Sequence, residues 1–203
     1  MKTQLLLVLA TFLVFTFGCN NSPKTSTGNS APTTSIIDGI DVNEKLDAKP
    51  NLLEDMSQLV ALEDIAKALS LDPAQIKKVP SSSDNVNTCF FKWDDPNFPN
   101  TGIMMQVKTN PYPLDLPEWA MVTMSGLRQD GEATLGENFT HRYKDLGGMA
   151  TEGLYNADIG KYYWRLTDKV VLFLAFNTIH EQEEQFQIAT EIGTHMIKNY
   201  LDI

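Results

Sequence analysis

The segment from Lys161 to Phe176, KYYWRLTDKVVLFLAF, has the strongest β-forming character in the chain. Consecutive aromatic residues are followed by a short polar break at Thr167-Asp168 and then by an apolar run from Val170 to Phe176. Aromatic and β-branched side chains suit a pleated surface, and a short polar break between two such runs is typical of a turn. The segment therefore predicts a β-hairpin around which the rest of the fold is built.

The faces of this hairpin follow from its turn. A two-residue turn at Thr167-Asp168 would pair Trp164 with Val171 and Tyr162 with Phe173. One face would then carry Tyr162, Trp164, Val171, Phe173 and Ala175, and the other Tyr163, Val170, Leu172, Leu174 and Phe176. Because a strand that is apolar on both faces is covered on both faces, we expect helices on one side. The other side needs a second core layer, a partner or a ligand.

The candidate ligand-binding residues are Tyr162, Trp164 and Phe173, on the more aromatic of the two predicted faces. Tyr and Trp combine a large apolar area with a polar group and are enriched where proteins bind. The alternative is that this face is a second core layer, closed by residues 52–80. The two interpretations differ in the exposure of Trp164, which is exposed in a binding surface and buried in a core.

Residues 1–19, MKTQLLLVLATFLVFTFGC, have the layout of an export signal. Lys2 precedes an apolar run from Leu5 to Phe17, which is shorter than the roughly 20 residues of a membrane span and suits the apolar part of a signal peptide. The run ends at Gly18-Cys19 and resembles the bacterial lipoprotein signal, although Thr16 stands where leucine is usual. The alternative is ordinary cleavage near Gly18, with Cys19 incidental.

The lipoprotein resemblance implies an anchor and a location. In that family the cysteine, here Cys19, receives a diacylglycerol group and becomes the first residue of the mature protein. Several acyl chains, each contributing about 0.8 kcal/mol per buried CH₂, anchor a protein stably. We therefore expect a lipid-anchored protein of the cell envelope that faces the periplasm or the exterior. Residues 20–50 are rich in Ser, Thr, Asn and Pro at the start and predict a flexible tether.

Residues 52–203 predict a single α+β domain, with an antiparallel sheet packed against about three helices at 52–71, 117–129 and 179–200. Apolar residues at helical spacing, such as Leu62, Ile65 and Leu69, predict the first helix. Asp72-Pro73 predicts a short further helix that ends at the polar residues 80–85. Strands are predicted at 88–93 and 101–109, where Ile103, Met105 and Val107 alternate with more polar residues. Shorter strands are predicted at 139–143 and 151–155.

The order of helix, loop and hairpin occurs twice, in CFFKW followed by GIMMQVKTN and in YYWRL followed by KVVLFLAFN. Two related helix–hairpin halves and a mere similarity of composition are both open. This layout over about residues 55–200 resembles small uncharacterised bacterial lipoproteins with a sensor-type α+β domain, some of them similar to extracellular domains of actinobacterial receptor kinases. The resemblance implies a binding role. That family often has Gly-Asp after the glycine turn, whereas this chain has Gly147-Gly148-Met149-Ala150, and it often has disulfides.

Composition and motifs exclude several functions. The chain of 203 residues has 16 basic and 26 acidic side chains, whereas nucleic-acid binding needs a basic footprint. No phosphate loop, dinucleotide fingerprint, nucleophile elbow or zinc helix occurs in the sequence. His141, His180 and His195 lie in separate predicted elements. We therefore predict no catalytic residue, no metal and no cofactor.

Two weaker chemical candidates have simpler explanations. Cys89 starts an apolar strand and is more simply a buried inert thiol than a nucleophile. The loop at 94–100 contains acidic and amide side chains suited to calcium, but its two prolines explain it as a turn.

Two functions remain after these exclusions. The first is a non-catalytic binding or interaction module of the envelope, whose partner is an unknown envelope protein or small ligand. The second is an envelope hydrolase whose active site is dispersed in the sequence, since catalytic residues converge in space and not in order. A closed pocket with facing carboxylates or a Cys–His pair would favour the enzyme, and an aromatic groove would favour the binding module.

Overall fold

The structure, a computed structural model, describes residues 36–37, 40–41, 59–133, 140–147, 150–178 and 181–201. The predicted signal, most of the tether, Cys19 and residues 52–58 of the first predicted helix lie outside these described residues. Residues 34–203 form one compact unit.

The described elements follow one another as three helices, a short 3₁₀ helix and eleven strands. In chain order they are β1 (Ile36–Ile37), β2 (Ile40–Asp41), α1 (Leu62–Ala68), the 3₁₀ helix (Pro73–Gln75), β3 (Lys77–Ser83), β4 (Val86–Lys92), β5 (Gly102–Thr109), α2 (Trp119–Gln129), β6 (Glu132–Ala133), β7 (Thr140–His141), β8 (Lys144–Asp145), β9 (Glu152–Asn156), β10 (Lys161–Arg165), β11 (Val170–Asn177) and α3 (Gln182–Leu201).

Seven strands form one antiparallel sheet in the order β3-β4-β5-β11-β10-β9-β8. The predicted hairpin β10–β11 lies in its interior, and β11 also pairs with β5 along its whole length. The predicted α+β class, with an antiparallel sheet against three helices, is confirmed. Two strands, β3 and β4, lie on one side of the β5–β11 pair and three, β10, β9 and β8, lie on the other. Helices α2 and α3 pack on opposite faces of the sheet.

Each face of the sheet carries its own hydrophobic cluster. The larger cluster packs α1 and α3 against one face, which we call the main-core face, and it includes Tyr162, Trp164 and Leu172. The smaller cluster packs α2 against the other face, the α2 face, and includes Tyr163, Val171 and Phe173. The expectation that the hairpin is covered on both sides is confirmed.

The predicted register of the hairpin is wrong by one residue. Trp164 pairs with Leu172 and Tyr162 with Leu174, because the connection is longer than the predicted two-residue turn. The Leu166 amide donates to the carbonyl of Val170 at 3.0 Å, which leaves three residues in the loop. Since side chains alternate along a strand, a one-residue slip moves one strand's residues to the opposite face relative to its partner. Tyr162 and Trp164 therefore do not share a face with Val171 and Phe173.

Two further elements differ from their predictions. Helix α1 ends at Ala68, and Ser70 adopts a left-handed backbone with φ of 55°, so the helix does not reach residue 71. The polar residues 80–83 were expected to terminate a helix but instead belong to β3, which is exposed along its whole length. Lysine and proline are common in edge strands, where they discourage pairing with other chains. Because β3 has this polar composition, the sequence did not predict a strand there.

Other predicted elements are confirmed with shifted bounds. Helices α2 and α3 lie within or close to the predicted ranges, and Ile103, Met105 and Val107 of β5 are buried while their neighbours are partly exposed. Asp72 accepts a hydrogen bond from the Ala74 amide at 2.9 Å, but the segment it caps is a 3₁₀ turn of three residues.

Candidate functional site

The predicted binding residues do not form an exposed surface. Trp164 and Tyr162 are each 0% exposed and belong to the main core, whereas Phe173 is 3% exposed and lies on the α2 face. The prediction that these three side chains share one exposed face is therefore wrong, and the alternative of a core layer describes Trp164 correctly. Cys89 is 0% exposed, as predicted for a buried thiol.

The two histidines that the structure describes lie in separate elements. His141 is buried in β7, and His195 of α3 lies 3.6 Å from a carboxylate oxygen of Asp64, with both side chains partly exposed. His180 lies outside the described residues. Among the residues that the structure describes, no group of three metal-ligating side chains comes together.

A different surface on the α2 face is the candidate site. Helix α2 packs over β9, β10 and β11, and only Met104 of β5 reaches the edge of its cluster. The strands β3, β4 and β5 present further side chains on this face. We call this part of the α2 face, formed by these three strands, the open half-sheet. Its members are Val79, Phe90, Met104, Gln106 and Lys108, of which Val79 is 44% exposed and the other four are half-buried.

The register of the sheet sets the layout of the open half-sheet. Val79, Phe90, Met104 and Ala175 are direct cross-strand neighbours and form one apolar row. The next row contains Gln106, whose side-chain amide donates to Thr88 Oγ1 at 3.1 Å. These pairings join residues far apart in the sequence, so no local pattern could have predicted the row.

A cavity of about 300 Å³ adjoins the apolar row and is lined by three of its members. It is lined mainly by Phe90, Met104, Ala175, Phe176 and the β5 residues at Gly102-Ile103, with Lys92 and Asn177 at its polar margin. A Cβ at Gly102 would lie 2.6 Å from the carbonyl oxygen of Phe91, so only glycine allows β4 and β5 to approach here. The volume is at the lower limit of the range for small-molecule sites.

A partly buried cluster of charged and phenolic groups borders the apolar row at Ala175, whose cross-strand partner is Lys161. Glu132 accepts hydrogen bonds from the Tyr143 hydroxyl at 2.5 Å and from Lys161 Nζ at 2.8 Å. The helix α2 ends at Gln129, and Gly131 with φ of 76° turns the chain so that Glu132 enters β6. A Cβ at Gly131 would lie 2.4 Å from the carbonyl oxygen of His141, so this turn requires glycine.

Lys108 connects this cluster to the open half-sheet. Its ammonium group lies 4.7 Å from the ring centroid of Phe173 and 5.6 Å from that of Tyr163, within the range of cation–π attraction. No ion pair involving Lys108 is formed within the described part of the chain. Glu132, the nearest carboxylate that influences it, is held by Lys161.

The electrostatics of the cluster favour holding an anion over transferring protons. Burial raises the pKa of Tyr143 and Tyr163 well above the usual range, and the Glu132 charge adds to this, so both phenols are neutral donors at neutral pH. Burial raises the pKa of Glu132, but hydrogen bonds from Lys161 and Tyr143 outweigh it and leave the pKa lowered. Burial lowers the pKa of Lys108, partly offset by Glu132.

The described helices do not include one that is both long and apolar enough to span a membrane. The site is interpreted from its own geometry, because comparison of the chain with family models, curated proteins and solved structures finds no match.

Proposed function

We propose that this protein is a lipid-anchored binding module of the cell envelope, which holds its ligand on the open half-sheet and catalyses no reaction. The observation that carries the proposal is that, within the described residues, α2 covers only part of the α2 face. A sheet face with an apolar row at Phe90, Met104 and Ala175 ordinarily packs against another layer, yet α2 lies over the other half of the sheet. A contiguous, partly exposed apolar surface beside a cavity is typical of a binding site.

The chemistry of the neighbouring cluster supports binding over catalysis. Tyr143 and Tyr163 are neutral, and Glu132 is engaged by two hydrogen bonds. A general base needs a free lone pair near the reacting proton and a pKa close to the working pH. The cluster does not offer this combination.

The anchor rests on the N-terminal sequence. The apolar run that ends at Gly18-Cys19 resembles a lipoprotein signal, and the part of the predicted tether that precedes the compact unit, residues 20–33, would carry the domain away from the membrane. A flexible segment of about 14 residues has a root-mean-square reach on the order of 20 Å. Such a tether lets the open half-sheet meet ligands in the envelope.

The anchor is tested by intact-mass analysis of protein extracted from the membrane fraction. We expect a chain that begins at Cys19 and carries acyl chains, and we expect Cys19→Ala to abolish acylation and detergent partitioning. Unchanged partitioning of the Cys19→Ala variant would refute the anchor.

The binding surface is tested with the uncharged apolar dye Nile red and residues 20–203, which contain the whole compact unit. We expect dye fluorescence to rise with the wild-type protein and to fall back in Phe90→Ser. The matched control is Val122→Ser, which changes a residue that is 47% exposed on α2 and should leave dye binding intact. Equal dye binding by both variants, with thermal unfolding showing both to be folded, would remove the open half-sheet as the site.

A further inference from the structure

The open half-sheet differs from the rest of the protein in charge. The chain has a formal net charge of −10 at pH 7, but β3, β4, β5 and β11 contain no acidic residue. On this face the same strands carry Lys77, Lys92 and Lys108, of which Lys77 pairs with Asp94 at 3.6 Å. Lys78 is the cross-strand partner of Phe91 and belongs to the main-core face. A local excess of positive charge on an acidic protein attracts anions to that surface.

Among the described residues, the two positive charges of Lys108 and Lys161 face the carboxylate of Glu132. Lys161 is paired with Glu132 at 2.8 Å, and within the described residues Lys108 has no ion pair and rests on two aromatic rings. A half-buried ammonium group without a direct counter-ion carries a desolvation cost that a bound anion would relieve. The position next to the Lys108 ammonium group is therefore suited to binding a negatively charged group.

The Lys108 ammonium group lies close enough to the apolar row for one ligand to contact both. Phe173 is the cross-strand partner of Gln106, one row nearer to the cavity than Lys108 itself. Because two residues along a strand span roughly 7 Å, the ammonium over Phe173 lies about that far from the row of Phe90, Met104 and Ala175. A molecule with an acidic head at Lys108 would have its body on this row and its end in the cavity.

Resting on the proposed function, we propose that the open half-sheet binds a single-chain anionic amphiphile, with its carboxylate at Lys108 and its hydrocarbon chain along Phe90, Met104 and Ala175. The cavity of about 300 Å³ suits one chain, since it is at the lower limit for small-molecule sites. Addition of a strand from a second protein is disfavoured, because the edge strand β3 carries Lys77, Lys78 and Pro80.

The test is calorimetric titration of residues 20–203 with decanoate below its micellar concentration. Wild-type protein should bind decanoate with an affinity that weakens as salt is raised, and decanol, which lacks the charge, should bind at least about tenfold more weakly. Lys108→Met should weaken decanoate binding about tenfold and leave decanol binding unchanged, and Lys108→Arg should restore most of the affinity for decanoate. The control Lys144→Met changes an exposed lysine of β8 and should have no effect.

Each outcome decides the proposal. Equal affinities for decanoate and decanol in wild-type protein, or no effect of Lys108→Met, would overturn it. Wild-type protein that binds Nile red but not decanoate would refute the amphiphile and leave the binding surface standing, whereas failure of both ligands would refute the proposed function itself. A dimer in light scattering that Phe90→Ser dissociates would assign the surface to a second copy of the chain and would also overturn the proposal.

Discussion

Gly193 of α3 lies directly against the indole ring of Trp164 in β10, such that a Cβ at position 193 would be 2.6 Å from Cζ2 of the ring. The absence of a side chain lets the helix approach the sheet where the largest buried side chain of the main core lies. The small residue in α3 and the large residue in β10 thus allow close packing of the helix against the hairpin at this point.

The first prediction concerns this contact. Gly193→Ala should lower the free energy of unfolding by up to about 2 kcal/mol, because overpacking costs about 1–3 kcal/mol and the helix-propensity gain of alanine offsets about 1 kcal/mol of that. Gly126→Ala in α2 is the matched control, since a Cβ there would meet nothing within 4 Å. We expect that control to be stabilised, and urea unfolding measures both. A stabilised Gly193→Ala variant would contradict the packing.

The second prediction concerns Trp164, which is fully buried. Trp164→Ala should cost about 3–5 kcal/mol because it removes a large core side chain and leaves a cavity. For a domain of this size about 1 kcal/mol shifts the melting temperature by about 2–4 °C, so calorimetry should detect a fall of about 10 °C. Val122→Ala, at a site 47% exposed, should change little. A small effect of Trp164→Ala would reopen its role as a binding residue.

The third prediction compares two buried tyrosines. Burial raises the pKa of Tyr162 to about 12, and its hydroxyl has no hydrogen-bond partner among the described residues. Tyr162→Phe should therefore be neutral or stabilising, because it removes an unsatisfied polar group. Tyr143→Phe should cost about 1–2 kcal/mol, because its hydroxyl donates to the charged Glu132. Chemical denaturation of the two variants gives the comparison, and a reversed order would refute the assigned contacts.

The fourth prediction concerns acid stability and Glu132. Its folded-state pKa is lowered, so the unfolded chain binds more protons in the interval between the two pKa values. The stability from Glu132 is then complete above the unfolded pKa of about 4.3 and is lost as the pH falls through the folded pKa.

Glu132→Gln tests this directly. The variant should be less stable than wild type by about 1 kcal/mol at pH 7, and the difference should shrink below pH 4 as the wild-type carboxylate takes up a proton. Glu118→Gln, at an exposed site with no side-chain capping bond, should show little difference at either pH. A constant difference for Glu132→Gln across the range would contradict the ionic pairing.

The fifth prediction concerns Cys89, which is 0% exposed on the main-core face. A thiol reagent should label it slowly in native protein and rapidly in denaturant, because reaction requires the buried thiol to be exposed by opening of the structure. Absorbance with an aromatic disulfide reagent follows the rate. Rapid labelling of native protein would show that the thiol is accessible and would revive a redox or nucleophilic role.

The sequence alone determined which segments become strands and helices where the pattern is strong. The aromatic and apolar runs of β10 and β11, the alternation in β5, and the helical spacing in α1 are local signals that depend on residues a few positions apart. They sufficed for the α+β class and for the expectation that the central hairpin is covered on both faces.

Only the tertiary structure decided the register of the hairpin, the strand β3 and the site. One additional residue in the loop after Leu166 moved Trp164 opposite Leu172, and a turn without a glycine signal does not specify its own length. Glu132, Tyr143 and Lys161 meet across up to 29 positions of sequence, and Phe90 meets Met104 and Ala175 through strand pairing. Such contacts depend on which strands pair and how far α2 extends over the sheet, and local sequence patterns carry no information about either.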